Sequence, residues 1–417
     1  MTSVDNSKRK IFINGIFLVL SIFAPLLAFP FLSRVLGQEG FGLYLSVLSF
    51  TGFLVIFCDY GFNVSSARRL ALNQDDNSIR SEIIITTTFI KFVLFVLASI
   101  FYIAFISTFS NYSSLLSSLL LVIFYLFALA MQPVWYFIGA EKLVLNSILV
   151  ATGRILPLGF LFYLVRDQED FKLAIQIQSI GMFLCCVTSY FYIWLKEEIS
   201  FEFPKKTVFI KYLKQDYMLF FSNILIGTYS SFNAVLLGIN ASFSQVAIYA
   251  GIERIFKTIE SILVSSGSLF FPAVARKILT DKSGATDDIK DVVNIYLLAG
   301  VGIVSISLFF GNKLLALVYG TDFDFENPAL YIYMFVPVLG AIATAWGNLG
   351  LLNLGKNTLF FKILLVGASI NILLILLLGG KLGAIGGAVA ILAATIIISF
   401  LMKFNLDRHI KVHDQET

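Results

Sequence analysis

Apolar runs of roughly 20 residues follow one another from about residue 11 to about residue 403, separated by short polar connections. Each run is long enough to cross a hydrocarbon core of about 30 Å as an α-helix. The alternation over about 10 residues that a transmembrane barrel requires is absent. The pattern predicts an all-α polytopic membrane protein of about twelve spans, at 11–35, 41–66, 83–109, 115–138, 143–165, 173–195, 217–239, 245–271, 291–310, 328–353, 358–378 and 382–403.

Composition agrees with that reading. Of 417 residues, 58% are hydrophobic and 13% are charged, against about 25% charged in an ordinary soluble domain. The mean hydropathy is +0.88. The basic N-terminus leads into an apolar run without a small-residue cleavage site, so that run is expected to be a first span and not a cleaved signal. Cys58, Cys185 and Cys186 all lie in apolar stretches and suggest neither a disulfide framework nor a metal site.

The connections alternate in charge. One side carries twenty bases, among them Arg68, Arg69, Arg80, Lys142, Lys196, Lys205, Arg276, Lys277 and Lys356; the other carries five, at Arg34, Arg166, Lys172, Lys313 and Lys381. The positive-inside rule places the first set, and both termini, in the cytoplasm. An even number of spans requires the same thing. The connection at 196–216 divides the chain into an N-terminal lobe at 1–195 with spans one to six and a C-terminal lobe at 217–403 with spans seven to twelve. A cytoplasmic tail covers 404–417.

A faint repeat relates the lobes. VLGQEGFGLYLS leads to a span ending SSARRL, and LLGINASFSQVAIYAG leads to one ending PAVARKI. Leu-Gly, a tyrosine and an Ala-Arg followed by a second base recur in that order. Parallel repeats of this kind are a transporter arrangement.

A charge at the bilayer centre costs about 2.5–3.5 kcal/mol on insertion scales, so a deep charge faces a bundle interior or a wet cavity. The eighth span holds four. Counted from Ser244, Glu253 and Arg254 lie about 14 Å deep, Lys257 about 20 Å and Glu260 about 24 Å. Glu253, Lys257 and Glu260 share a face, either as a paired stripe that holds helices together or as the lining of a polar cavity. Arg154 lies about 17 Å from the inner end of the fifth span. It has no acid within a turn, so a residue of another helix or a ligand must answer it. Lys91 is shallower and within snorkelling reach of the cytoplasm. Asp59 interrupts an apolar run beside Gly61 and Asn63, where it either pairs with a base or carries a coupling cation. Arg68 and Arg69 reach the inner boundary, as anchors or as an attractor for an anionic headgroup. Arginine suits phosphate because its planar fork donates two hydrogen bonds. Tyr44, Tyr60, Trp135, Tyr136, Tyr229 and Tyr249 accompany these charges, as sugar-packing faces or as ordinary interfacial aromatics.

Other chemistry is excluded. The only histidines, His409 and His413, lie in the tail, so no His-containing triad or metal site forms within the membrane. No phosphate-binding Gly-Lys-Ser/Thr loop is present. Nothing in the chain suggests a nucleic-acid partner, a cofactor or an enzyme.

FLSRVLGQEGFGLYLSVLSF followed by DYGFNVSSARRLA resembles the N-terminal signature of the Wzx-type polysaccharide and O-antigen repeat-unit flippases. These belong to the multidrug/oligosaccharidyl-lipid/polysaccharide exporter (MOP) superfamily. PVWYFIGAEK, ERIFKTIESILVSSGSLFFPAVAR and LGAIGGAVAILAATI extend the likeness in the right order over most of the chain. The resemblance implies two six-helix lobes around a central cavity. It also implies an undecaprenyl-diphosphate-linked oligosaccharide as substrate, and alternating access driven by a proton or sodium gradient in the bacterial inner membrane. Polymerase and chain-length proteins of the same pathway would be its partners. On that basis Arg154, Arg254, Lys257 and Lys91 are expected to meet the diphosphate or acidic sugars, and Arg68 and Arg69 the entering headgroup. Asp59, Glu253 and Glu260 are expected to couple ions or to hold those bases in place. A multidrug or metabolite exporter of the same superfamily is the nearest alternative. A membrane polysaccharide polymerase is the alternative of a different class, and the short outer loops 166–172 and 311–327 argue against it.

Overall fold

A computed structural model describes residues 3–197, 204–268, 270–320 and 327–414. Among them there are helices and no strands. Sixteen α-helices follow in chain order: α1 (Ser3–Asp59), α2 (Phe62–Leu72), α3 (Asn77–Thr108), α4 (Leu119–Ala130), α5 (Val134–Gly139), α6 (Leu143–Leu164), α7 (Phe171–Lys196), α8 (Lys206–Ser230), α9 (Asn233–Asn240), α10 (Phe243–Ser268), α11 (Phe271–Thr280), α12 (Lys282–Tyr319), α13 (Ala329–Tyr333), α14 (Val336–Thr344), α15 (Asn357–Leu382) and α16 (Ala384–Asp414). The chain forms two compact units, Met1–Gly227 and Thr228–Thr417. The division falls inside α8.

Nine helical stretches among the described residues are long and apolar enough to cross a membrane, and the broken pair α8–α9 makes a tenth. Two physical details bear on how that number compares with the twelve expected. The first stretch, Leu27–Leu72, belongs to a helix divided at Gly37, whose φ of 64° and ψ of 177° are not helical. A left-handed φ costs glycine nothing, and here it ends one crossing and starts the next. The other detail is α10, which has the length but carries Glu253, Arg254, Lys257 and Glu260 in its middle. Exposed apolar side chains such as Phe101, Leu298 and Phe309 suit contact with lipid tails.

The two units share an order of local devices, so the repeat is structural. Tyr44, shortly after the Gly37 break, and Tyr249, early in α10, are fully buried. Each long helix then breaks, at Tyr60–Gly61 in unit 1 and ahead of Phe271 in unit 2, and a short helix follows, α2 or α11. Each short helix buries one face, through Phe62, Ser66 and Leu70 in α2 and Val274 and Ile278 in α11. An aspartate then caps the next long helix. Asp76 accepts from the amides of Ser78 and Ile79, both at 3.0 Å, and Asp281 accepts from Gly284 N at 2.8 Å. Such caps contribute about 1 kcal/mol each.

The last shared device is a left-handed helix stop. Glu141 at φ 55° and Gly355 at φ 71° precede Lys142 and Lys356. The lysine amides reach back to Phe137 O at 2.8 Å and Leu351 O at 2.9 Å, closing the same turn.

Close helix contact depends on small residues. A side chain at Gly181 of α7 would place its Cβ 2.2 Å from Pro157 Cγ and 2.4 Å from Gly153 O of α6. Backbones approach this closely in membranes only where no side chain intervenes.

Two outcomes follow for the purified protein in detergent. Gly181→Leu lowers the thermal midpoint by several degrees, because the overpacked α6–α7 crossing costs roughly 1–3 kcal/mol. Glu141→Gly raises it slightly, because a side chain in the left-handed region costs about 1–2 kcal/mol that glycine, already present at the matching Gly355, does not incur.

Candidate functional site

In unit 1 two helix breaks converge on one lysine. α1 ends at Asp59, and Tyr60 and Gly61 both take positive φ there. α4 ends at Ala130, and α5 restarts after Pro133, which has no amide to donate. Lys91 of α3 is 3% exposed. Its Nζ donates to Gln132 O at 3.1 Å and lies 3.9 Å from Asp59 Oδ1. Tyr190 Oη donates to the neighbouring carbonyl, Met131 O, at 2.9 Å, and Gln132 Nε2 donates to Ser189 Oγ at 3.0 Å. Backbone acceptors freed in a bilayer must be satisfied inside the protein, and Lys91 and Tyr190 do so. Lys91 does not snorkel: its charge is spent on a helix end and on Asp59.

The paired arginines separate. Arg69 forms a two-pronged ion pair with Asp216 of α8, at 2.8 and 2.9 Å. It also donates to Gln215 Oε1 at 3.1 Å and stacks 4.1 Å over the Tyr212 ring. Asp216 accepts from Ser65 Oγ at 2.8 Å as well, so α2 is clamped to the first half of α8. Arg68, one residue earlier, is exposed. Arg154 is half-buried on α6, one residue from the tight Gly153–Gly181 contact, and within electrostatic reach of Cys185.

In unit 2 the charges of α10 are sorted by depth. Glu253 is 3% exposed and ends a chain of buried polar groups. Asn371 of α15 donates to Asn233 Oδ1, Asn233 Nδ2 donates to Tyr249 Oη at 3.1 Å, and Tyr249 Oη donates to Glu253 Oε1 at 3.3 Å. Lys257 closes the chain at 2.9 Å from Glu253 Oε1, with its side chain 31% exposed. Arg254 is half-buried beside them, near Tyr319, whose hydroxyl donates to Gly251 O at 3.0 Å. Glu260 lies against α14, its Oε1 in the space that a Cβ on Gly340 would occupy. One acid therefore turns into the core and a second lies on the next helix, while the two bases sit half-buried.

Tyr44, Trp135, Tyr136 and Tyr249 are at most 2% exposed, and Tyr60 is 9% exposed, so these aromatics are packing and hydrogen-bonding elements of their units. The side chain of Tyr229 lies outside the described residues. The partners that complete the charge network, Gln132, Tyr190, Asp216, Asn233 and Asn371, are absent from the sequence-based candidates. For Gln132, Asn233 and Asn371 the signal was an amide inside an apolar run, as in SINILLILLL around Asn371.

Comparison with known proteins agrees with this architecture. A family described as "Polysaccharide biosynthesis protein" matches residues 7–277. A Shigella dysenteriae protein named "Putative O-antigen transporter" is 23% identical over 382 residues, which is 91% of this chain and 94% of that protein. The fold is similar to that of an inward-facing multidrug resistance MATE family transporter of the MOP superfamily, with a TM-score of 0.69 at 12% identity over 94% of this chain and 99% of the other. It is similar also to the lipid II flippase MurJ in an inward closed conformation, with a TM-score of 0.68 at 16% identity over 95% and 87%. With the matched region covering more than half of its length, the chain belongs to the polysaccharide biosynthesis protein family, and its fold is similar to that of these solved structures.

Proposed function

We propose that the protein is a flippase. In this reading it carries an undecaprenyl-diphosphate-linked oligosaccharide from the cytoplasmic to the periplasmic leaflet of the bacterial inner membrane, with both termini in the cytoplasm. Polymerase and chain-length proteins of the same pathway would use its product. The family, the name of the Shigella relative and the likeness to a lipid II flippase fold support this reading. The observation that carries it is the sorting of charge on α10. Glu253 is held inward by Tyr249, while Arg254 and Lys257 remain half-buried.

A diphosphate cannot enter hydrocarbon unanswered, and half-buried bases can replace its water. Arg154 in unit 1 and Arg254 and Lys257 in unit 2 take the diphosphate or acidic sugars, and exposed Arg68 attracts the headgroup first. Lys91 and Arg69 hold broken helices and α8 in place through their contacts within unit 1. Asp59, Glu253 and Glu260 are the groups for coupling to a proton or sodium gradient. Each is buried or half-buried in its unit, and Asp59 and Glu253 each lie beside a base whose charge a bound cation or proton would rebalance.

Two measurements in vesicles containing the purified protein test these roles. Arg154→Gln and Arg254→Gln each slow flipping of the lipid-linked oligosaccharide at least tenfold, as expected for loss of a charge-assisted contact of about 2 kcal/mol. Unchanged rates in both, at equal protein levels, end the assignment. Glu253→Gln and Glu260→Gln make the rate insensitive to an imposed proton or sodium gradient. A wild-type rate already insensitive to both gradients removes ion coupling.

A further inference from the structure

A cavity of about 460 Å³ opens at the basic end of unit 1, apart from the deep charges. Its walls include Gln74, Arg80, Tyr136, Lys142, Lys196 and Glu197. The volume lies in the range of about 300–1,000 Å³ usual for small-molecule sites. Glu197, the one acid of the lining, is fully engaged. Arg80 grips both of its oxygens, and Tyr136 Oη donates to it as well. Arg80 also donates to Gln74 O at 2.6 Å. That ion pair is neutral and rigid, so the charge the cavity offers comes from Lys142 and Lys196, both exposed.

Two independent features point to an anion. Lys142 is the residue before the 22-residue α6, whose start carries no side-chain cap, and a helix N-terminus adds positive potential to that of the lysines. The repeat also carries a matching cluster in unit 2. Lys356 precedes α15 as Lys142 precedes α6, and Lys356 and Arg408 both lie within electrostatic reach of His409 on α16. Bases therefore stand at the same step of the fold in both units, before α6 and at the end of α7 in one, before α15 and near the end of α16 in the other.

Exposed apolar side chains neighbour the lining residues in sequence. Leu72 is 72% exposed, Leu195 61%, Trp194 59% and Leu143 43%. Tryptophan beside lysine is the composition of a membrane–water boundary, and basic pockets between helices at such a boundary hold phosphate headgroups.

We propose that this cavity is a binding site for a phosphate-bearing anion, gripped by Lys142 and Lys196 and by the start of α6, with the headgroup of an anionic phospholipid as its source in the membrane. The site is separate from the residues assigned to transport, so its existence does not rest on the flippase reading. Its occupant ties the ends of α6 and α7 to one leaflet.

Titration of the full-length protein in detergent with dihexanoyl phosphatidylglycerol tests the site, with dihexanoyl phosphatidylcholine and glycerol 3-phosphate as parallel probes. The wild type binds phosphatidylglycerol more tightly than phosphatidylcholine. The Lys142→Gln/Lys196→Gln variant binds phosphatidylglycerol at least tenfold more weakly, since each base near a membrane surface contributes about 1 kcal/mol. The Lys142→Arg/Lys196→Arg variant retains wild-type binding, and neither variant changes the thermal midpoint measured in phosphatidylcholine. Glycerol 3-phosphate binding as tightly as phosphatidylglycerol keeps the anion site and moves its source to soluble phosphates. Equal affinity of the glutamine variant and the wild type, equal affinity for the two lipids, or no binding of any probe overturns the proposal.

Discussion

Hydrocarbon offers no hydrogen-bond partner, so every charge and every freed backbone group at bilayer depth must be answered within the protein. This constraint organises both units. Lys91 can be buried because a broken helix end and Asp59 receive its protons and charge. Glu253 can be buried because an Asn371–Asn233–Tyr249 chain and Lys257 meet it. Removing one partner of such a group leaves the other uncompensated, which costs far more than the pair contributes while intact.

The same constraint fixes Arg69 and Lys91 as structural charges, while exposure and not lack of a partner distinguishes the bases of α10, since Lys257 is itself paired with Glu253. Arg69 and Lys91 sit within hydrogen-bonded sets that account for their donors. On α10 the acid is withdrawn and the bases are left nearer the surface of the unit, an order that suits a transient anion better than a permanent partner. Arg254 and Lys257 are neighbours, one turn apart on a helix whose other charge, Glu260, is turned toward α14.

Much of this was legible in the sequence. The twelve apolar runs, the boundary near Gly37 and the four charges in the eighth span are local signals, readable from length, glycine and charge, whereas the break at Gly61 falls inside the expected span 41–66. The repeat was visible in Leu-Gly, tyrosine and Ala-Arg, although its firmest marks, the Asp76 and Asp281 caps and the left-handed stops before Lys142 and Lys356, needed coordinates. The Glu253–Lys257 pair, one turn apart, was legible, but the other pairings were not, because they are long-range. Arg69 and Asp216 are 147 residues apart, Asn233 and Asn371 are 138 apart, and no spacing rule connects them. For the same reason Arg68 and Arg69 read as equivalent in sequence and differ completely in their surroundings.

The central claim is that Arg254 serves an anionic passenger and is not a fixed strut. It is tested most directly by Arg254→Cys in reconstituted vesicles, where the native Cys58, Cys185 and Cys186 are buried. The account predicts that a water-soluble thiol reagent modifies the new cysteine, and that the lipid-linked oligosaccharide diphosphate protects it while the same sugars without phosphate do not. A cysteine that never reacts, or that reacts equally with and without the diphosphate lipid, contradicts the account.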